Sequence, residues 1–120
     1  MTKLIVSVDL QNLTDMQLDS RRKNFEYLLQ RLNVRSEVCE GTCEGVREQS
    51  YMITLDGSKH YRKIIEEAHG RFDQDAVLKV SAYGGATLIF PERVEKFVGE
   101  LVQVDEVPKD QCYTQRFSDG

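Results

Sequence analysis

Residues 49–70, QSYMITLDGSKHYRKIIEEAHG, place a strand directly before a helix and decide the fold. In the first half of this stretch, apolar side chains alternate with more polar ones, and the apolar set is Tyr51, Ile53 and Leu55. A period of two predicts a strand with one apolar face. Gly57-Ser58 then interrupts the strand and offers an N-cap for a helix.

The second half of the stretch predicts a helix over about residues 58–69. Four apolar residues fall on one stripe at helical spacing: Tyr61, Ile64, Ile65 and Ala68. Gly70 follows as a stop signal, because glycine accommodates the backbone that ends a helix. The helix is therefore expected to lay its apolar stripe on the sheet.

The N-terminal part of the chain has the same kind of pattern. Residues 3–10, KLIVSVDL, alternate in hydrophobicity and predict a first strand. Residues 16–32 hold leucines and a phenylalanine at helical spacing, and Thr14 or Asp15 can cap that helix. A second strand is expected over residues 34–40.

The C-terminal part begins with a hairpin. The apolar segments 75–82 and 86–90 flank Tyr83-Gly84-Gly85, and glycines at such a position favour a tight turn between two strands. Residues 92–99, ERVEKFVG, are expected to form a short helix. Residues 100–107, ELVQVDEV, are expected to form a final strand, and the tail after them is polar.

The predicted order β-α-β-β-α-β, with an appended hairpin and strand, is the split βαβ or ferredoxin-like plan. A chain of 120 residues suits one domain, residues 1–120. We expect an α+β sandwich with both helices on one face of an antiparallel sheet. The other face is expected to mix apolar and polar side chains: Ile5, Met52, Val77 and Ile89 with Ser7, Thr54 and Lys79. Such a face favours an oligomer that covers it.

Composition excludes several classes of function. The net charge is −4, whereas nonspecific nucleic-acid binding needs a basic face. The sequence has no long apolar run and no signal peptide, so we expect no membrane partner. Three cysteines, an odd number without secretion signals, suggest free thiols in a reducing cytoplasm.

The stretch VCEGTCEGVREQSY, residues 38–51, holds the candidate chemistry. Cys39 and Cys43 form a single C-x₃-C pair, whereas structural zinc sites need two such pairs or nearby histidines. Both histidines of the chain, His60 and His69, lie on the predicted second helix, so no metal is expected. The stretch lacks the Gly-Lys-Ser/Thr of a phosphate loop, and no serine or cysteine stands in a nucleophile elbow.

The glutamates of this stretch leave two interpretations. The simpler one is a solvated acidic loop. The other starts from Gly41 and Gly45, which free the backbone to fold close to a ligand. Glu48 then stands at the start of an apolar strand, where partial burial is expected. A carboxylate there favours a cationic ligand.

Six stretches, in this order along nearly the whole chain, resemble a family of small phage enzymes: LIVSV, NLTD, DSRRK, EQSYMITL, FDQDAVLKVS and DEVPKDQCYT. These are the S-adenosylmethionine (SAM) lyases, formerly described as SAM hydrolases. The resemblance implies a homotrimer of sandwiches similar to the PII superfamily, with active sites between subunits. It also implies cleavage of SAM to 5′-methylthioadenosine and L-homoserine lactone without a cofactor. The expected setting is the host cytoplasm, as a defence against restriction-modification.

The family's key glutamate matches Glu48 of REQSY. Seven further residues are expected to bind the substrate: Ser7, Glu44, Gly45, Val46, Tyr51, Ser81 and Tyr83. The family also uses an active-site tyrosine near this loop, but no tyrosine stands between Glu37 and Glu48. Tyr51 or Tyr83 would have to substitute for it.

Two other classes of function compete with the lyase. The first is a PII-like regulatory module that binds an adenine ligand without turnover, which the fold alone does not exclude. The second is an acidic interaction protein that mimics DNA. A charge of only −4 and the basic residues 21–23 in the first helix argue against such a mimic.

Overall fold

The computed structural model describes residues 2–43, 46–55, 60–91, 94–100 and 113–116. Its elements follow one another as β1 (Thr2–Val6), α1 (Asp15–Leu32), β2 (Arg35–Cys43), β3 (Val46–Leu55), α2 (Tyr61–Gly70), β4 (Val77–Val80), β5 (Gly85–Ile89), β6 (Glu95–Glu100) and β7 (Tyr113–Arg116).

Within the described residues, the strands form one seven-stranded sheet in the order β6-β5-β4-β1-β3-β2-β7. All of its strand pairs are antiparallel. The four central strands, β4-β1-β3-β2, have the order of the ferredoxin-like plan, because β3 inserts between β1 and β2. The predicted α+β class is confirmed.

The predicted alternation of Tyr51, Ile53 and Leu55 is confirmed and sets the main core, while Asp56 at the end of that stretch lies outside the described residues. In the register of β1 and β3, Leu4 lies opposite Ile53, and Val6 lies opposite Tyr51. Directly opposed residues of an antiparallel pair share a face. This face packs against the helices and forms one buried cluster: Leu4, Val6, Val8, Phe25, Leu28, Leu29, Tyr51, Ile53, Leu55, Ile64, Ala68, Phe72 and Val77.

Both predicted helices are confirmed, with sharper limits. Thr14 caps α1 in a capping box, since its side chain accepts from the Gln17 amide and the Gln17 side chain accepts from the Thr14 amide. Helix α2 begins at Tyr61 and ends with Gly70; the proposed cap Ser58 lies outside the described residues. Neither helix is long and apolar enough to cross a membrane, within the ranges given above.

The second face of the sheet differs in part from its prediction. Ile5 and Met52 lie there as expected, in a cluster with Cys39, Val80 and Leu78. Val77 and Ile89 were wrongly placed on this face: they lie opposite each other and face the helices. The cause is the register of β4, which sets Leu78 rather than Val77 opposite Ile5.

The second-face cluster is already covered in the single chain. Ile5, Cys39, Met52 and Val80 are each exposed by no more than 9%. The open apolar surface from which an oligomer was inferred is therefore smaller than the sequence suggested. Exposed apolar side chains occur elsewhere, among them Tyr83, Val94 and Phe97.

The helix predicted over residues 92–99 is wrong, because Glu95–Glu100 form β6, paired with β5. Its Phe97 lies opposite Thr87, so pairing with β5 outweighs the helix-forming glutamates and lysine. The strand predicted over 100–107 lies outside the described residues beyond Glu100. The tail contributes a strand that the sequence did not suggest, β7, which pairs with β2.

Candidate active site

The stretch predicted to be an acidic loop is mostly a hairpin. Strand β2 runs to Cys43 and β3 starts at Val46, so the loop prediction is wrong for most of its length. Tight cross-strand pairing continues up to Cys43 and Val46. The predicted binding residues Glu44 and Gly45 lie outside the described residues, and only the backbone of Val46 is described.

Glu48 lies within β3, directly opposite Gly41 of β2. It is on the second face, the one turned away from the helices, with Ser50 and Met52 on the same side. Its side chain is exposed, so the predicted partial burial is wrong for the single chain. Gly41 explains the exposure, because the residue across the strand has no side chain to cover the carboxylate.

Glu37 lies on the same face of the sheet as Glu48. It pairs with Met52, whereas Gly41 pairs with Glu48. Gly41 follows Glu37 by four positions in β2, which at ~3.3 Å per residue places the two glutamates about 13 Å apart along the sheet. The two carboxylates therefore do not form one pair.

Ser7, predicted to bind substrate, lies beside the start of β3. It is 9% exposed, and its hydroxyl donates to the backbone carbonyl of Gln49 at 3.1 Å. The same hydroxyl oxygen accepts from the Asp9 amide at 3.2 Å. Ser7 thus ties the end of β1 to the residue that follows Glu48.

Tyr51 lies on the opposite face of β3 from Glu48. Its ring is in the core, 2% exposed, with its centroid 5.2 Å from that of Phe25. Its hydroxyl donates to Glu26 Oε2 at 2.7 Å, and Gln49 Nε2 donates to the Tyr51 oxygen at 3.3 Å. Burial raises the pKa of the Tyr51 phenol, and the bond to Glu26 raises it further. The phenol is therefore a neutral donor and not a base.

An ion pair stands next to this phenol. Arg22 of α1 donates twice to the Asp9 carboxylate, from Nε to Oδ1 at 3.0 Å and from Nη2 to Oδ2 at 2.7 Å. The hydrogen bond to Asp9 raises the pKa of Arg22. Arg21 donates to the Val8 carbonyl at 2.6 Å, and Gln74 donates to the Asp9 carbonyl at 3.1 Å. Side chains of α1 and of the α2–β4 connection therefore hold the segment after β1 in place.

Sequence reasoning missed Asp9, Arg22, Glu26 and Gln49. One signal was present, since a tyrosine on the apolar face of a strand needs a partner for its hydroxyl. That signal indicates the need for a partner but does not identify Glu26, which is 25 residues away in sequence.

Ser81 and Tyr83 lie in the turn between β4 and β5. The Ser81 amide donates to the Gly85 carbonyl at 2.9 Å, and the Gly85 amide donates to the Ser81 hydroxyl at 3.1 Å. Gly84 takes a φ of 92°, which strongly favours glycine. The predicted hairpin is confirmed, and it leaves Tyr83 97% exposed.

This turn is at the far end of the sheet from Glu48. Val80 lies opposite Lys3, which lies opposite Thr54 on the other side. Glu48 is six residues from Thr54 along β3, a distance of about 20 Å at ~3.3 Å per residue. One chain therefore brings Ser7 close to Glu48 but leaves Ser81 and Tyr83 remote.

The cysteine and histidine positions give no metal centre in the described part of the chain. Cys39 is fully buried opposite Ser50, and the side chain of Cys43 is not described. His69 lies on α2, where its Nδ1 is 3.0 Å from the Gln74 carbonyl oxygen. Among the described residues, no three His, Cys, Asp or Glu side chains are grouped to hold a metal ion.

The fold and this site define an α+β protein in which the exposed carboxylate of Glu48 lies on a strand beside a network of hydrogen-bonded side chains. The S-Adenosylmethionine lyase family matches residues 4–120. The chain belongs to that family, and the resemblance seen in the sequence is confirmed. It is an enzyme of the SAM-degrading lyase kind. No curated protein matches the chain.

Proposed function

We propose that the protein cleaves SAM by intramolecular lactonisation, giving 5′-methylthioadenosine and L-homoserine lactone. The observation that carries this proposal is Glu48, an exposed carboxylate on a regular strand in a chain of the SAM lyase family. A carboxylate presented in this way suits a substrate that carries an ammonium group.

The reaction needs no nucleophile from the protein. An oxygen of the substrate's own α-carboxylate attacks Cγ and forms the C–O bond of a five-membered ring. The Cγ–S bond breaks, and its electron pair stays on sulfur, which becomes the neutral thioether of methylthioadenosine. No proton is transferred and no water is consumed. The protein has to hold the methionine part folded, and such placement contributes about 7–11 kcal/mol in well-oriented intramolecular reactions.

Glu48 is proposed to bind the α-ammonium group and so fix that folded conformation. Contact with the sulfonium would act against catalysis, because the positive charge on sulfur disappears in the transition state. A carboxylate at that position would stabilise the ground state more than the transition state. The ammonium keeps its charge throughout, so its bond to Glu48 is available at every stage.

Two of the predicted binding residues, Ser81 and Tyr83, are proposed to act from a neighbouring subunit of a homotrimer. Ser7 lies near Glu48 in the same chain, whereas Ser81 and Tyr83 are about 20 Å away along the sheet. They reach the same SAM molecule if a neighbouring chain supplies them. Glu44, Gly45 and Val46 are proposed to contribute backbone groups that bind adenine. Light scattering at micromolar concentration should give three times the chain mass, and a monomer would contradict the trimer.

The experiment that tests the reaction is incubation with SAM alone, followed by chromatography of the products. Equal amounts of methylthioadenosine and homoserine lactone are expected. A regulatory module would return SAM unchanged, and a hydrolase would give homoserine directly. The proposed setting is the host cytoplasm, where loss of SAM removes the methyl donor and cofactor of restriction-modification enzymes.

A further inference from the structure

The residue next to Glu48 is fixed at both its backbone and its side chain. The Gln49 carbonyl accepts from the Ser7 hydroxyl at 3.1 Å, and Gln49 Nε2 donates to the Tyr51 oxygen at 3.3 Å. Tyr51 in turn donates to Glu26 of α1 at 2.7 Å. A continuous set of hydrogen bonds therefore runs from α1 to the residue that follows the exposed carboxylate.

We propose that Glu26 and Tyr51 are positioning residues, which act through Gln49 to set the direction of Glu48 on the other face of β3. This proposal rests on the proposed function, in which Glu48 binds the substrate ammonium. Successive strand residues point to opposite faces, so Gln49 and Glu48 share one peptide unit but face different sides. A twist of β3 at Gln49 therefore moves the Glu48 carboxylate directly.

The arrangement has features that a simple core contact does not need. The Tyr51 ring would be equally buried as phenylalanine, but its hydroxyl contacts two side chains. Burial and the bond to Glu26 raise the pKa of Tyr51, so the phenol remains a protonated donor at neutral pH. Glu26 is exposed on α1, and its Oε2 accepts from the buried hydroxyl. The hydroxyl therefore fixes geometry in addition to filling space.

The first test compares single variants in the product assay. Tyr51→Phe and Glu26→Ala should each lower kcat about five- to tenfold, the effect of one lost hydrogen bond, with a smaller change in KM. Glu26→Gln should restore most of the activity, because the amide oxygen still accepts from Tyr51. Matched controls on α1 are Tyr27→Phe and Asp19→Ala, which change exposed side chains and should leave kcat unaltered.

The second test asks whether Tyr51 acts through Glu48. In a Glu48→Gln background, Tyr51→Phe should lower the remaining activity less than twofold, because the group that it positions is already gone. An equal fold-loss in both backgrounds would overturn the proposal, as would an unchanged kcat for Tyr51→Phe with only a lowered Tm. If the unmodified protein formed no lactone, the proposed function would fail first, and that result is separate from either outcome.

Discussion

At the end of the sheet that carries Glu48, side chains from α1, β3 and the segment after β1 are bonded to one another. The Ser81–Gly85 turn at the other end is closed mainly by backbone bonds and leaves Tyr83 97% exposed. The end with Glu48 therefore resembles a preorganised site. The turn with Tyr83 resembles an exposed surface that a partner could cover. The difference fits the proposed site between subunits, in which Glu48 of one chain binds the ammonium and the turn of a neighbour completes the site. We call the first region the rigid end and the second the remote end.

The largest expected effect comes from removing the charge at the rigid end. Glu48→Gln keeps the size of the side chain but loses the charge-assisted hydrogen bond to the substrate ammonium, which is worth roughly 1.5–3 kcal/mol. Lactone formation should slow by about 10- to 150-fold. The free energy of unfolding should stay unchanged, because the side chain is exposed.

Glu37→Gln is the matched control for this variant, on the same face but about 13 Å away along the strand. It should retain near-normal lactone formation. Loss of activity in Glu37→Gln with Glu48→Gln unaffected would move the ammonium site to the other glutamate. If both variants stayed active, the carboxylate hypothesis would fail and the hairpin would be ordinary solvated surface.

The next effect tests the remote end. Tyr83→Ala should lower kcat/KM about two- to tenfold, the range of one aromatic contact, through a raised KM. Its Tm should be unchanged, since the side chain is almost fully exposed. A fall in Tm with KM unaltered would assign Tyr83 a structural role instead.

Mixing subunits makes this prediction sharper. Glu48→Gln and Tyr83→Ala chains, refolded together, should form some sites with an intact Glu48 from one chain and an intact Tyr83 from its neighbour. Random trimers would contain about a quarter of such sites. Activity above the mean of the two variants supports a shared site, and activity equal to that mean would place the whole site within one chain.

The sequence predicted the centre of the fold better than its edges. The alternation of Tyr51, Ile53 and Leu55 is local, and a buried face selects it strongly. β6 was mistaken for a helix because its pairing with β5 is not visible in residues 92–99 themselves. The sheet face predicted for Val77 was also wrong, because Ala76, Val77 and Leu78 are all apolar and their sequence does not show which of them will face the helices.

Ser7, Glu48 and Tyr51 of the candidate site were singled out from the sequence, whereas the side chains bonded to them were not. Glu48 followed from the REQSY match, but its exposure depends on Gly41, which the strand pairing brings opposite. Asp9 and Arg22 are 13 residues apart in sequence and meet because α1 crosses the end of β1. Such contacts form only in the tertiary fold, so no local sequence pattern indicates them.

A smaller effect should appear in the stability of the rigid end at alkaline pH. The raised pKa of Tyr51 means that its contribution is fully present below about pH 10, the pKa of an unfolded tyrosine, and is lost as the pH rises further. Above that pH, the free energy of unfolding should fall about 1.4 kcal/mol per pH unit faster than in Tyr51→Phe. Parallel curves from denaturant titrations at pH 9–11.5 would contradict this.

The smallest expected effect is that of a chelator, for which we predict no change in activity. In the proposed reaction the leaving thioether is already activated by its positive charge, and the attacking carboxylate is already ionised. A Lewis acid would have no oxygen to polarise and no water to ionise. At the rigid end, Arg22 already neutralises Asp9, so that carboxylate is not available to a cation. Activity measured in excess EDTA should equal that in buffer, with a known zinc enzyme as the control for chelation. Loss in EDTA with recovery on added zinc would instead make Cys43, near the hairpin end, a candidate ligand and would require a different role for Glu48.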